Sequence, residues 1–522
     1  MIDEPVDVRG KAVASSRPPA PGRAGRLFAG WSANLFQMVL GITQQVALIP
    51  VFLHYWTGDT LAAWLVIYAI GNLAFIADAG LQFRAINRFF QFKPGADCDD
   101  RTARYYGAML RVYLGLTAAL TLPLLVGAAL LAPSTVFGFV TVVHFDAAFV
   151  FMAAGMLWTV PSNLVAALYR ARGLYGRAVK VQNAAVLIGQ FAQLVAIVAT
   201  GSLLAVTLAY AAAQVVAAIW LLTIDAPRLF PYLRTARATP SWRWIVGQFR
   251  KAAPFAVAGA TDLALLNLPV LLVSALVSDR VAVAQWGLTR MVAGLLRVLC
   301  VQTTLPLAAE LGHDHAVGDA QRLQSLYARG SVLVTLLASI VVSGLLPFWQ
   351  DFFALWTHGI VPYDPALTVT LLVGTAAAAP SILALNYANF SNRGDLLVRT
   401  KGLQLVIFLA LSAILIPATG LIGAAIAVIA SELLVQFGVL GWIILQNTLQ
   451  HPLRHLCFLA GVMVAVTLAG WALGVAIRLA IPLAEPLRFF VECGLWLVVV
   501  AVAASPLAIE SVRARLTAAI PN

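Results

Sequence analysis

A chain of 522 residues in which 61% are hydrophobic and only 11% charged is unlike a water-soluble domain, where about a quarter of residues carry charge. Its 34 basic against 22 acidic residues give a net charge of +12, but the basic residues come in small groups along the whole length, which speaks against nucleic acid and for anionic membrane lipid as partner. The four cysteines, Cys98, Cys300, Cys457 and Cys493, are far apart and lack CxxC spacing, so neither a disulfide framework nor a metal site is expected.

In chain order, residues 1–25 are rich in Pro, Gly, Ala and Arg and read as a disordered basic tail. From Leu27 almost to Leu507 follow about fourteen apolar stretches, each near the roughly 20 residues that a membrane-crossing helix needs. No short apolar run with a small-residue cleavage site precedes the first, so it is expected to stay as a span. After the second span come Arg84, Arg88 and Lys93, and after the fourth Arg170, Arg172, Arg177 and Lys180. Arg228 to Lys251 follow the sixth; then Arg322 with Arg329, Arg393 with Arg399 and Lys401, Arg454, and Arg513 with Arg515. The intervening loops hold only Arg280, Arg478 and Arg488. Basic loops face the cytoplasm, so an even number of spans with both termini cytoplasmic is expected.

The expected fold is an all-α polytopic bundle, and it carries an internal repeat. Arg172-Gly173, followed after six residues by Lys180, recurs about 221 residues on as Arg393-Gly394 and Lys401. Pro161-Ser162 and Pro380-Ser381, Trp64 and Trp286, and Pro50 and Pro269 pair at nearly the same offset. Two pseudo-symmetric lobes of about six spans are therefore expected, at 26–226 and 249–447, as in transporters that hold substrate between two halves. A cytoplasmic linker at 227–248, two appended spans within 457–508 and a tail at 509–522 complete the organisation.

Polar faces indicate a path. Asn34, Gln37, Gln44 and Gln45 fall within about a 100° arc of the first span, and Gln182, Asn183, Gln190 and Gln193 repeat this in the fifth. Thr207, Tyr210 and Gln214 do so more faintly in the sixth. Interhelical hydrogen bonding is the competing use of such residues; four amides on one face favour a hydrated cavity. Ionisable residues inside spans cost roughly 2.5 to 3.5 kcal/mol each at a helix centre and so read as functional. They are Asp78, Asp262, Arg290, Arg297 and Glu432, with Glu492 nearer an outer boundary. Arg290 and Arg297 share one helix face about 10 Å apart along the axis, a cationic ladder suited to a phosphate or pyrophosphate crossing the bilayer. The alternative is that these arginines pair with Asp78, Asp262 or Glu432, which are also the candidates for a coupling proton or sodium ion. Arg84 and Arg88 stand where they would either collect a phosphate at the inner leaflet or anchor the helix end.

The segment from Trp31 to Phe90, with Asn34, Gln45, Pro50, Trp64, Asp78-x-Gly80 and the basic end at Arg84 to Arg88, resembles the start of Wzx-type polysaccharide flippases. The two Arg-Gly turns and the extra pair of spans resemble that family and its parent superfamily, which includes the multidrug and toxic compound extruders and the lipid II flippases. The resemblance implies a V-shaped, two-lobed bundle in a bacterial inner membrane. Its central cavity would move undecaprenyl-pyrophosphate-linked oligosaccharide outward for O-antigen or exopolysaccharide export, beside a polysaccharide polymerase and export machinery. It also implies Arg290 and Arg297 holding the pyrophosphate and the polar faces of spans one and seven lining the sugar path; no cofactor is expected. A cation-coupled multidrug exporter of the same superfamily is the alternative. An integral-membrane glycosyltransferase or polymerase is the enzyme alternative, but its only DxD sequence, Asp97-Cys98-Asp99, falls in a cytoplasmic loop. His313-x-His315, beside Glu310 and Asp314, reads as a solvated cytoplasmic loop.

Overall fold

The computed structural model describes residues 47–92, 99–172, 174–235, 238–391, 393–481 and 487–505. Among them every regular element is helical, and 12 helices are long and apolar enough to cross a membrane. A bilayer interior offers the backbone no water, so each crossing segment must satisfy its own N–H and C=O groups, and a helix does so. The chain is a multi-pass all-α membrane protein. The 12 helices correspond to the expected second to thirteenth spans, and an 18-residue helix, Leu487–Ala504, stands where the fourteenth is expected. The tails at 1–25 and 509–522, most of the first span with Asn34, Gln37, Gln44 and Gln45, and the Asp97-Cys98 pair lie outside the described residues.

α1 (Gly58–Leu73) starts at Thr57, whose hydroxyl accepts from the Thr60 amide at 3.4 Å. It tightens into a 3-10 turn, Ala74–Asp78, and then breaks at two residues of positive φ, Ala79 (48°) and Gly80 (70°). The amphipathic α2 (Leu81–Phe92) follows. α3 (Asp99–Leu131), α4 (Phe145–Thr159), α5 (Asn163–Ala171), α6 (Tyr175–Thr200) and α7 (Leu203–Trp220) come next. α7 runs on into a π-helical turn, Leu221–Asp225. α1 packs on α4, α4 on α3 and α7, α7 on α6, and α2 on α5.

α8 (Trp242–Leu276) begins at Ser241, whose hydroxyl accepts from the Trp244 amide, inside the stretch expected as linker. α9 (Arg280–Val317), α10 (Ala320–Trp356) and α11 (Pro365–Phe390) are each capped by an aspartate, Asp279, Asp319 and Asp364, whose carboxylate accepts from first-turn amides. α12 (Gly394–Thr419) and α13 (Leu421–Ser431) follow, and α13 continues as a π-helical stretch, Glu432–Gly441. α9 packs on α10 and α11, α10 on α11, α12 on α8 and α13. α14 (Pro452–Ala480) and α15 (Leu487–Ala504) lie against α10 and each other.

Two groups of helices thus form, α1–α7 and α9–α13, and α8 touches both through α1, α2 and α12. α1 also meets α9, and a shared core runs through Trp64, Leu65, Trp286 and Leu288. Lipid is as apolar as leucine, so packing there depends on close approach of small residues. Gly71 leaves room for Met152 and Met156, and Gly155 for Ala211. Apolar side chains such as Leu130 and Leu479 point outward, exposed.

One expectation is corrected. His313 and His315 are not in a loop: α9 stays helical to Val317 before Gly318 ends it at φ 83°. Asp314 is buried and ion-pairs with Arg322 at 3.4 Å, and the His315 ring meets Tyr387 edge-on. The apolar pattern stops at the membrane edge, but nothing obliges the helix to stop with it.

Candidate functional site

A cavity of about 350 Å³ lies where the 3-10 turn after α1 and helices α2, α4, α5, α6 and α7 face α8. Asp78, Gln82, Asn163, Gln182 and Gln214 supply its polar wall, and Phe255, Ala256, Gly259 and Ala260 of α8 supply the facing one. The break at Ala79 and Gly80 places Asp78 here, at the end of its 3-10 turn. The Tyr113 hydroxyl (2.7 Å) and the Asn163 amide (3.2 Å) donate to Asp78 Oδ1, and the Gln82 backbone N–H donates to Oδ2 (3.1 Å). A carboxylate inside a membrane needs such donors, because each unmade bond costs as much as in any dry interior.

Gly80 is required twice over. Its backbone is left-handed, and a Cβ would stand 2.5 Å from the Ala256 nitrogen and 2.6 Å from the Ala252 oxygen of α8. Beside it Phe83 stacks on Phe255, and Arg84 Nε donates to Gln248 Oε1 at 3.2 Å. Arg84 therefore bridges α2 to α8, while Arg88 lies over the Phe92 ring at 5.3 Å.

The other intramembrane charges gather in the second group. Arg297 of α9 and Glu432, first residue of the π-helical stretch, form an ion pair, the acid nearly fully buried. Asp262 of α8 accepts from Lys401 Nζ of α12 at 2.6 Å; here the lysine is 4% exposed and the aspartate 60%. Arg290 donates through Nη2 to the Leu265 carbonyl at 2.8 Å, and among the described residues no carboxylate stands within ion-pair distance of it. Glu432 acts electrostatically on both arginines, and Asp262 on Arg297. Four of the predicted residues, Asp262, Arg290, Arg297 and Glu432, are thus one network; Asp78 and Arg84 belong to the cavity and its edge.

The fifth-span stripe divides. Gln182 lines the cavity, but Asn183, Gln190 and Gln193 are buried, and Gln214 of the sixth span both lines it and donates to the Ala185 carbonyl at 3.1 Å. Thr207 donates to its own Leu203 carbonyl, and Tyr210 packs on Trp64 and Tyr68. α6 and α7 pack closely, with Gly189 against Tyr210, so most of that face serves helix contact. Sequence reasoning missed Tyr113 and Asn163 on Asp78, and Lys401, which it counted among the basic residues of the cytoplasmic loops. It also missed Asp225, buried and held by Arg177 and by the Tyr169 hydroxyl (2.6 Å). The recurrence of lysine at 180 and 401 was a signal that Lys401 had a structural task.

No family model matches the chain, and no curated protein matches it. Solved structures do. The lipid II flippase MurJ in its inward closed conformation aligns with a TM-score of 0.67 at 9% identity, over 92% of this chain and 100% of that one. An inward-facing MATE family multidrug resistance transporter of the MOP superfamily aligns with a TM-score of 0.60 at 14% identity, over 84% and 98% of the two chains. A Vibrio cholerae MATE transporter aligns with a TM-score of 0.53 at 16% identity, over 83% and 98%. At these identities the likeness is one of fold.

Proposed function

We propose that the chain is a Wzx-type flippase of the inner membrane of a bacterium, with both termini cytoplasmic. It would carry undecaprenyl-pyrophosphate-linked oligosaccharide to the outer leaflet by alternating access between lobes at 26–226 and 249–447. The observation that carries this reading is Arg290, a half-buried intramembrane cation that meets a neutral carbonyl and, among the described residues, no carboxylate. Arg297, on the same helix face, is neutralised by Glu432 and can exchange that partner for a pyrophosphate oxygen. The MurJ fold supports a lipid-linked cargo in kind. The polar wall of Gln82, Asn163, Gln182 and Gln214 suits sugar hydroxyls.

The test is translocation of fluorescent lipid-linked oligosaccharide in proteoliposomes. Arg290→Ala with Arg297→Ala should reduce it to background. Including Glu432→Gln avoids leaving a buried carboxylate alone, so abundance and insertion stay near native. Undiminished translocation overturns the assignment. A multidrug exporter has one observation in its favour, the acid Asp78 on the cavity wall. It would predict that Asp78→Asn abolishes efflux of cationic dyes, whereas the flippase reading predicts no dye efflux in the native protein.

A further inference from the structure

Arg280 takes no part in the cavity or the charge network, yet it makes two hydrogen bonds and a ring contact. It opens α9 after the turn from α8. Its Nη1 donates to the Phe137 carbonyl at 2.8 Å and to the Ser274 carbonyl at 2.6 Å, and the Ser274 hydroxyl donates to the same Phe137 carbonyl at 3.2 Å. The guanidinium also stands over the Phe139 ring, 5.5 Å from its centroid. Phe137 and Phe139 belong to the loop between α3 and α4, in the first group of helices. Between them Gly138 holds φ 69°, and a Cβ there would run into the guanidinium. The same seam continues inward, where Gly58 faces Val281 and Gly287 makes room for Leu65.

We propose that Arg280 is the latch that closes the two groups of helices at the face poor in basic residues. This rests on the alternating-access reading above, in which that face must open and shut. The chemistry suits a reversible contact. The planar guanidinium spans two carbonyls, one in the first group's loop at Phe137 and one in the last turn of α8 at Ser274, where a helix end leaves carbonyls without a helical partner. Neutral acceptors return to water on opening without stranding a buried charge, as rupture of a dry ion pair would. Had the bond to Ser274 been the only one, Arg280 would merely brace its own turn; the bond to Phe137 and the ring contact with Phe139 cross the seam.

Spin labels on Thr141→Cys and Ser278→Cys, both exposed and on opposite sides of the seam, test this by double electron–electron resonance. The full chain is used, with its four native cysteines replaced by serine. The native distribution should be mainly short. Arg280→Ala should raise the ratio of long to short distances about tenfold, which is about 1.4 kcal/mol, and Arg280→Lys should fall between. Gly138→Ala should shift the ratio the same way, and Gly138→Ala with Arg280→Ala no further than Arg280→Ala alone, because both act through one contact. A native-like distribution in Arg280→Ala overturns the latch, and so does additivity of the two changes. A control pair within the first group, Thr141→Cys and Thr200→Cys, must keep its distance; a change there means a distorted group and also overturns it. Failure of the native protein to move lipid-linked oligosaccharide in vesicles overturns the functional reading instead. The latch is then still decided by the distances, which are recorded without cargo.

Discussion

Lys401 and Asp262 are unequal partners, and the inequality says which of them the fold can spare. The ammonium is buried and the carboxylate is mostly exposed. Asp262→Asn leaves a buried cation with a weaker acceptor and should cost roughly 2 kcal/mol. If the space between the helix groups is the hydrated path of the proposed function, Lys401→Met leaves a carboxylate open to that water, at a cost below about 1 kcal/mol. Thermal unfolding in detergent should therefore show a lower melting temperature for Asp262→Asn than for Lys401→Met; the reverse order would mean that the carboxylate is the buried partner. The sequence shows that these groups are ionisable and intramembrane or nearly so, but not who meets whom. Lys401 was hidden because it sits in a basic turn motif, and only the helix carries it, seven residues past Gly394, about 10 Å deeper. Arg297 and Glu432 were both legible as costly residues, and the pairing left open at the sequence level is the one that forms.

At the scale of elements, the break after Asp78 is part of the cavity wall. The 3-10 turn ends at Asp78, and the two residues of positive φ after it redirect the chain so that α2 packs on α8. Gly80→Ala adds backbone strain of roughly 1 to 3 kcal/mol and forces α2 off α8, since both contacting atoms are main chain. Gly115→Ala, in a helix with open space around the added methyl, should instead be neutral or stabilising by up to about 1 kcal/mol. Comparing the unfolding temperatures of the two variants separates the special glycine from an ordinary one, and equal effects would refute the close approach. The Asp-x-Gly sequence was visible as a motif, but not as a break, because hydropathy is blind to φ. The same blindness hid the π-helical stretches, Leu221–Asp225 and Glu432–Gly441, one carrying Asp225 and the other Glu432 into buried positions.

For the whole molecule, the readable quantities are sums and the unreadable ones are pairings. Hydropathy summed over about 20 residues finds the spans, and basic residues summed over each loop orient them. The contacts that join the helices instead link residues 164 positions apart, as in Arg84 with Gln248, or 139, as in Asp262 with Lys401. No local sum contains these. The orientation itself is open to test, because the charge rhythm predicts a side for every loop. Single cysteines at Thr141 and Ser278 should react with a membrane-impermeant maleimide on intact spheroplasts, whereas Thr239→Cys and Asp395→Cys should react only after lysis. All four positions are exposed, so access to the reagent is decided by the membrane rather than by burial. A cysteine at Thr239 that labels from outside would invert the chain, and with it the direction in which Arg290 and Arg297 present their charges to a cargo. Arg280 would then latch the cytoplasmic face, and the two basic residues at different depths would meet a headgroup in the opposite order.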